Sequence, residues 1–341
     1  MNKIVLFGEL MLRLRPEGKE RLFQKPYFEA VFGGSEANVA VSLSILGEKS
    51  VYVTALPDND VGRAAEASLR YYGVETKPLF KDGRLGIYFL EGGACQRPSN
   101  VIYDREGSSV SLTLPDEYDW NYIFKDADWF HLSGVTPAIS EAAFLSAFRA
   151  IEEAKKAGCI VSLDLNYRKK LWKWGKKADE VMCLLAEKAD VLIANEEDIQ
   201  NCLGLPLKNY PTPQESYRHL CEDVKKKFPN VSHVAVTLRH SYSADRNGWS
   251  GVLSGKYGFY ESAHYDIENI VERVGAGDSF SAGLIFGLRE YEKSAKGESD
   301  ALEFATAAGC LKHSITGDFN LATRKEVETL MKGNGNGRIQ R

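Results

Sequence analysis

The chain has 341 residues, 44% of them hydrophobic and 26% charged, with 43 Lys+Arg against 47 Asp+Glu and a formal charge of -4. This is an ordinary globular composition with apolar material for a large core, and its length fits two domains or one large α/β domain with a small appendage. The charge balance asks for neither a nucleic-acid nor a membrane partner, so an anionic substrate would need local rather than global positive charge.

Cysteines stand at 95, 159, 183, 202, 221 and 310, with no Cys-x-x-Cys spacing and no histidine cluster. They read as reduced thiols rather than a zinc site. Met1-Asn2-Lys3 runs straight into Ile4-Val5-Leu6-Phe7, with no signal peptide and no apolar run long enough to span a bilayer, so the cytoplasm is the expected location.

In chain order, Ile4 to Phe7, Val51 to Ala55, Trp129 to Leu132, Ile160 to Leu165, Val191 to Ala194 and Val234 to Leu238 read as short buried strands. Helical segments lie between them. Ser35 to Leu46 stops at Gly47, Asp60 to Tyr72 stops at Gly73, and Ser140 caps a helix that runs to Lys155-Lys156 before Gly158. Ala301 to His313 is a further helix, with His313 as a cation at its C-terminal end. The alternation predicts an α/β fold with a doubly wound, mostly parallel sheet and helices on both faces.

Two stretches break this rhythm. About 9-34 and 84-114 have period-two character with turn residues between, including Ile87 to Leu90, Asn100 to Tyr103 and Ser109 to Leu114. They predict a small antiparallel sheet standing over the main one as a lid, with an edge hairpin of the main sheet as the other reading. The domain expectation is one unit over 1-330 carrying this lid. The Gly/Asn-rich 331-341 is expected to be a disordered tail.

The motif that carries chemistry is Val274-Gly275-Ala276-Gly277-Asp278-Ser279-Phe280, three small residues and an aspartate opening an apolar-periodic helix. Amides converging at such a helix start suit a phosphoryl group in flight, and Asp278 beside them can accept a proton from an attacking hydroxyl. The same spacing also describes a plain glycine turn with an aspartate capping a helix. No Walker-type loop and no protein-kinase glycine loop is present.

The decapeptide Val274 to Gly283, which that motif opens, together with Phe32-Gly33-Gly34-Ser35-Glu36-Ala37-Asn38-Val39-Ala40, resembles the two signatures of the ribokinase/PfkB sugar-kinase family over about residues 1-330. Within it the likeness is to the 2-keto-3-deoxygluconate kinases. The resemblance implies a ribokinase-like fold with a β-sheet lid, Asp278 as catalytic base and the amides of Gly275, Ala276 and Gly277 as anion hole. It implies ATP with Mg²⁺ as cofactors and a small-molecule sugar acid as substrate. Gly33, Gly34 and Asn38 would meet sugar hydroxyls, and Tyr88, Tyr103, Arg105 and Arg168 would clamp the acid. An arginine fork suits a carboxylate through two parallel hydrogen bonds. Taken singly, each favours a plainer reading, Arg105 as a solvated turn residue and Arg168 as a helix-start surface charge, whereas the two together, with Tyr103 two residues from Arg105, favour the clamp.

On the nucleotide side, Asn195 with Asp198 resembles the family's Asn-x-x-Glu element, which holds magnesium through water, with the carboxylate one methylene shorter. An acidic first helical turn explains the same residues. Thr237, Arg239 and Ser243 are the candidates for ATP contacts, on a 239-249 stretch read as a polar loop longer than the family's, with Trp249 starting the next strand. Other readings stay open: 2-keto-3-deoxygalactonate, fructose, ribose or a nucleoside as substrate, or a regulator that binds without catalysis. Lid edges make a homodimer the expected assembly.

Overall fold

The structure, a computed structural model, describes residues 2–291 and 293–333. Of the tail read as disordered, 334–341 lie outside the described residues, while Met331 closes a helix, Arg324–Met331.

Fourteen strands are described: β1 (Lys3–Phe7), β2 (Met11–Arg15), β3 (Glu29–Gly33), β4 (Ser50–Pro57), β5 (Glu75–Lys81), β6 (Ile87–Glu91), β7 (Asn100–Asp104), β8 (Ala127–Ser133), β9 (Ile160–Asp164), β10 (Val191–Ala194), β11 (His233–Ser241), β12 (Arg246–Ser254), β13 (Phe259–Glu261) and β14 (Tyr265–Glu268). Ten form the main sheet in the order β13-β12-β11-β10-β9-β8-β1-β4-β5, with β14 also on β12. From β11 through to β5 every pairing is parallel. The pairings of β12 are antiparallel.

Continuous apolar strands arise because both faces are covered. Val5 and Phe7 of β1 enter one core with Trp120, Phe124 and Ile151, whereas Ile4 and Leu6 enter the other with Val39, Leu43 and Phe280. The helix Ala276–Tyr291 lies in the second layer, where Gly283 and Gly287 let it come close to the helix Ala295–Lys312; a Cβ on Gly287 would stand 2.6 Å from the Ala301 Cα. Strand order reverses at β1, whose neighbours are β8 and β4, and a doubly wound sheet opens its crevice at the carboxyl ends of strands around such a point.

The lid is a four-stranded sheet in the order β3-β2-β6-β7. It differs from the expectation in two respects. The β2–β6 pairing is parallel, because β3 returns to β2 before the chain leaves for the main sheet. Ser109 to Leu112 is a helical turn, not a strand. Its alternating Val110 and Leu112 mimic a strand pattern, but Val110 is buried against the main body while Leu112 is exposed. A third difference lies on the nucleotide side. The stretch read as a 239–249 loop is mostly paired β-ribbon, with Arg239 opposite Trp249 and Ser241 opposite Asn247, so Trp249 sits in mid-strand.

Candidate active site

A cleft of about 640 Å³ lies between the lid and the carboxyl ends of β9, β10 and β11. Its wall includes Gly34, Asn38, Tyr88, Tyr103, Arg105, Arg168, Asn195, Asp198, Thr237, Arg239, Gly275, Gly277 and Asp278. Residues from both ends of the chain therefore meet in one place. A second hollow, about 810 Å³, opens where Arg15, Lys19 and Val31 face Ala244 and Arg273; Asp278 is not part of its wall.

Asp278 is gripped at both oxygens. Ser35 Oγ donates to Oδ1 at 2.8 Å, and Asn38 Nδ2 donates to Oδ2 at 2.7 Å. Ser35 is held in turn by Asn166 Nδ2 at 2.9 Å, and that amide also donates to Ser133 Oγ at 3.1 Å. Burial raises the Asp278 carboxyl above the ordinary carboxylate range, while Asn38, Ser35 and the nearby Arg168 oppose the rise. A base that is fixed in place and less acidic than a surface aspartate suits proton abstraction from an alcohol.

The amides ahead of it are arranged for an anion. The helix Ala276–Tyr291 has its first inward amide at Ser279, which donates to Gly275 O at 2.8 Å. The N–H groups of Ala276, Gly277 and Asp278 precede that bond and belong to the helix start, where partial positive charge gathers. Gly275 has φ +83, a left-handed conformation that favours glycine, and a Cβ there would stand 2.2 Å from the Asp318 carbonyl oxygen. A Cβ on Gly277 would meet nothing within 4 Å, so that face is open.

Three carboxyls and three guanidiniums set the field. Asp164, at the end of β9, is pushed up to about 8 by burial, with Asp198 and Asp278 adding to it; Ser281 Oγ donates to its Oδ2 at 3.1 Å. Asp198 is pushed up to about 6 by burial, against the pull of Arg168 and of the Asn195 and Tyr167 amides. Arg239 is brought down to about 10: surrounding protein takes it from water although part of it faces the open cleft, and Arg273 and Arg168 crowd it. Arg168 donates to the Tyr167 carbonyl at 3.0 Å, and among the described residues no carboxylate lies within ion-pair distance of it. Such a cluster favours a polyanion.

Several expected contacts are already committed. Arg105 is 6% exposed and paired with Glu9, Nε to Oε2 at 2.7 Å, so it reaches the cleft neutralised, with only Nη1 left unpartnered. Of the two arginines expected to clamp the acid, Arg168 is the one without a carboxylate partner among the described residues. Tyr88 donates its hydroxyl to Asp318, and its ring lies 6.3 Å from that of Tyr103. Gly33 is small because a Cβ would meet the Asp318 carboxylate, and Gly34 because a Cβ would meet the Glu9 carbonyl at 2.1 Å. Ala276 is buried and only its amide is near the site. Ser243 is not part of the cleft wall; its hydroxyl accepts the Asp245 amide at 3.1 Å. Asn195 caps the helix Glu196–Leu203 by accepting the Asp198 amide at 2.8 Å. His313 is buried and lowered to about 4, hence neutral and no C-terminal cation.

Sequence reasoning did not single out Ser35, Asn166, Asp164 or Arg273. Ser35 lies inside a quoted motif, whereas Asn166 follows the strand read as Ile160 to Leu165 and has φ +37, a strained conformation no residue pattern announces. Arg273 lines the cleft one residue before Val274.

A buried carboxylate beside a helix start, with a cationic wall at the carboxyl ends of a doubly wound sheet, suits a phosphotransferase acting on small molecules. The chain belongs to the pfkB family of carbohydrate kinases, whose model matches residues 1–322. It is 34% identical over 332 residues to the 2-dehydro-3-deoxygalactonokinase of Haloferax volcanii, covering 97% of each chain. It is 28% identical over 337 residues to the 2-dehydro-3-deoxygluconokinase of Thermoproteus tenax, covering 97% of this chain and 95% of that one. The crystal structure of 2-dehydro-3-deoxygluconokinase from Thermotoga maritima superposes with a TM-score of 0.91 at 43% identity, over 98% of this chain and 100% of the other.

Proposed function

We propose that this sugar kinase transfers the γ-phosphoryl of ATP to the terminal hydroxyl of 2-keto-3-deoxygluconate, giving 2-keto-3-deoxy-6-phosphogluconate and ADP. The observation that carries the reading is Asp278, fixed between Ser35 and Asn38 beside the open amides of the helix start, in a cleft where the Arg168 guanidinium has no carboxylate partner among the described residues. The hydroxyl proton passes to Asp278 as the new O–P bond forms and the bond to the ADP oxygen breaks. The Gly275–Gly277 peptides hold the spreading negative charge, and Arg239 and Arg273 face the polyphosphate. The lid excludes water from the transfer.

Among the described residues no three His, Cys, Asp or Glu side chains form a metal cage. Nucleotide-bound Mg²⁺ needs none, since it keeps waters and takes phosphate oxygens. Asp198 fits the outer part of such a shell, because a nearby cation would favour its carboxylate over the protonated form that burial promotes. The ion, when bound, neutralises phosphate charge. Asn195 holds Asp198, and Thr237 Oγ1, donating to the Ala194 carbonyl at 3.4 Å, stands at the same strand ends.

2-Keto-3-deoxygalactonate is the second reading, favoured by the 34% identity to the Haloferax enzyme. ADP release with both sugar acids, fructose and ribose decides: turnover confined to the acids supports the proposal, equal turnover of fructose overturns the acid assignment, and melting shifts without ADP mark a binding protein. The lid and main sheet act as one unit over 1–330 in this reading. Its setting is the cytoplasm; no helix among the described residues is long and apolar enough to cross a membrane. A dimer through the outer lid face is supported by the Phe23, Phe28 and Phe89 rings, Phe23 being 72% exposed. Light scattering that finds a monomer at micromolar concentration removes it.

A further inference from the structure

A buried charge cluster joins the lid to the phosphate-facing loop, and the reaction as written makes no use of it. Arg13 on β2 is fully buried and ion-paired with both Glu272 and Asp318. Tyr88 of β6 donates to the same Asp318 carboxylate, and Arg15 Nη1 donates to Glu272 at 3.0 Å. Each carboxylate then leads to Gly275 by its own path. Glu272 Oε1 accepts the amides of Arg273 at 3.0 Å and Val274 at 3.4 Å, which fixes the two residues ahead of Gly275. The Asp318 carbonyl oxygen stands 2.2 Å from where a Gly275 Cβ would be, so it forms the floor under that peptide. Lys312, also buried, closes the remaining side: its Cε lies 3.2 Å from the same point and its Nζ donates to the Ile315 carbonyl at 2.9 Å.

Packing alone does not require this chemistry. Buried ion clusters are often matched in stability by apolar groups of similar volume. An ionised set differs by giving directional bonds, and here those bonds end on the peptides that shape the helix start. We infer that Arg13 is a positioning residue for phosphoryl transfer: acting from the lid through Glu272 and Asp318, it holds the Gly275–Gly277 peptides where the phosphoryl group passes. The inference rests on the proposed anion-hole role of those peptides. Lid strand and phosphate pocket then move as one body, and a small displacement at β2 is transmitted to the amides.

Arg13→Met and Arg13→Lys are compared with the parent enzyme in steady-state kinetics on the sugar acid that the parent turns over. Arg13→Met is expected to lower kcat about 10²-fold, with KM for ATP and sugar within about threefold of the parent, and Arg13→Lys to recover part of the loss. ADP with aluminium fluoride, a stand-in for the phosphoryl in flight, is expected to bind Arg13→Met more weakly by a similar factor, while ADP alone binds unchanged. An Arg13→Met protein that melts earlier yet keeps its kcat overturns the inference, as does equal weakening of ADP and the fluoride complex. Should Arg13→Met not fold, Glu272→Gln, which keeps the acceptor oxygen and loses the charge, decides by the same two readouts. A parent enzyme that neither turns over sugars nor binds the fluoride complex would instead sink the phosphotransfer reading itself.

Discussion

Replacing Asp278 by asparagine separates the base from the architecture around it. In Asp278→Asn the side-chain oxygen can still accept from Asn38 Nδ2, and the new amide nitrogen can donate to Ser35 Oγ, whose hydroxyl is free to turn because Asn166 anchors the same oxygen. No buried polar group is stranded, so the fold is expected to survive intact. Turnover is expected to fall by about 10² to 10⁴, the range for a lost general base, or about 2.7 to 5.4 kcal/mol of barrier. Sugar and ATP binding, measured by calorimetry, should stay close to the parent. Stability adds a sign. Burial raises the folded Asp278 pKa, so this group's contribution is complete below the unfolded carboxylate value and is lost as pH rises through the folded value. At neutral pH the Asp278→Asn variant should therefore melt no lower than the parent, and the difference should vanish on acidification. A variant that retains turnover within about tenfold of the parent refutes the base assignment. One that loses both activity and thermal stability at neutral pH refutes the claim that the carboxylate sits there at a cost.

Arg168→Ala is expected to raise KM for a sugar acid roughly tenfold, the low end for a charge-assisted bond because the side chain is exposed, and to leave KM for a neutral sugar unchanged; equal effects on both remove its carboxylate role. Gly277→Ala should fold as well as the parent, since nothing lies within 4 Å of the new Cβ, yet lose turnover as the methyl enters the phosphate space, whereas Gly275→Ala should lower the melting temperature through its φ of +83 and the Asp318 carbonyl. Asp164, held near 8, contributes stability that is whole below about pH 4 and lost as pH climbs through about 8; Asp164→Asn should flatten that alkaline decline in melting temperature, and an unchanged decline refutes the shift.

The parallel sheet was legible because strands covered on both faces must be apolar throughout, as the eight buried residues of β4 show. Helix bounds at Gly47 and Gly73 were legible for a local reason, since both glycines take positive φ just past their helices. Where the sequence misled, the same alternation or composition fits two local backbone outcomes. Residues 109–112 alternate like a strand, yet among the described residues no strand pairs with them. Instead, their backbone closes on itself, the Thr113 amide donating to the Val110 carbonyl at 3.3 Å, and the Thr113 hydroxyl donates to the Ser109 carbonyl at 2.6 Å. The 239–249 stretch has loop composition, but β12 supplies a ladder that overrides propensity.

For the charges the deciding partner does lie far along the chain, and it bears on substrate choice. Arg105 and Arg168 look alike in sequence, and only the fold decides between them: Glu9, 96 residues away, closes on Arg105, while Arg168 stands at the cleft with a backbone carbonyl for company. In the proposed reading, one guanidinium without a carboxylate partner among the described residues is enough to prefer an acid over a neutral sugar, but it would meet a carboxylate that both epimers carry alike. Selection between gluconate and galactonate forms must then come from a polar group that meets a single hydroxyl. Asn38 is poorly suited, since its amide nitrogen is committed to Asp278. In that reading, Tyr103 is the lid position where a change of epimer preference is most readily built, since it is half-buried on the cleft wall with a hydroxyl that has no hydrogen-bond partner among the described residues.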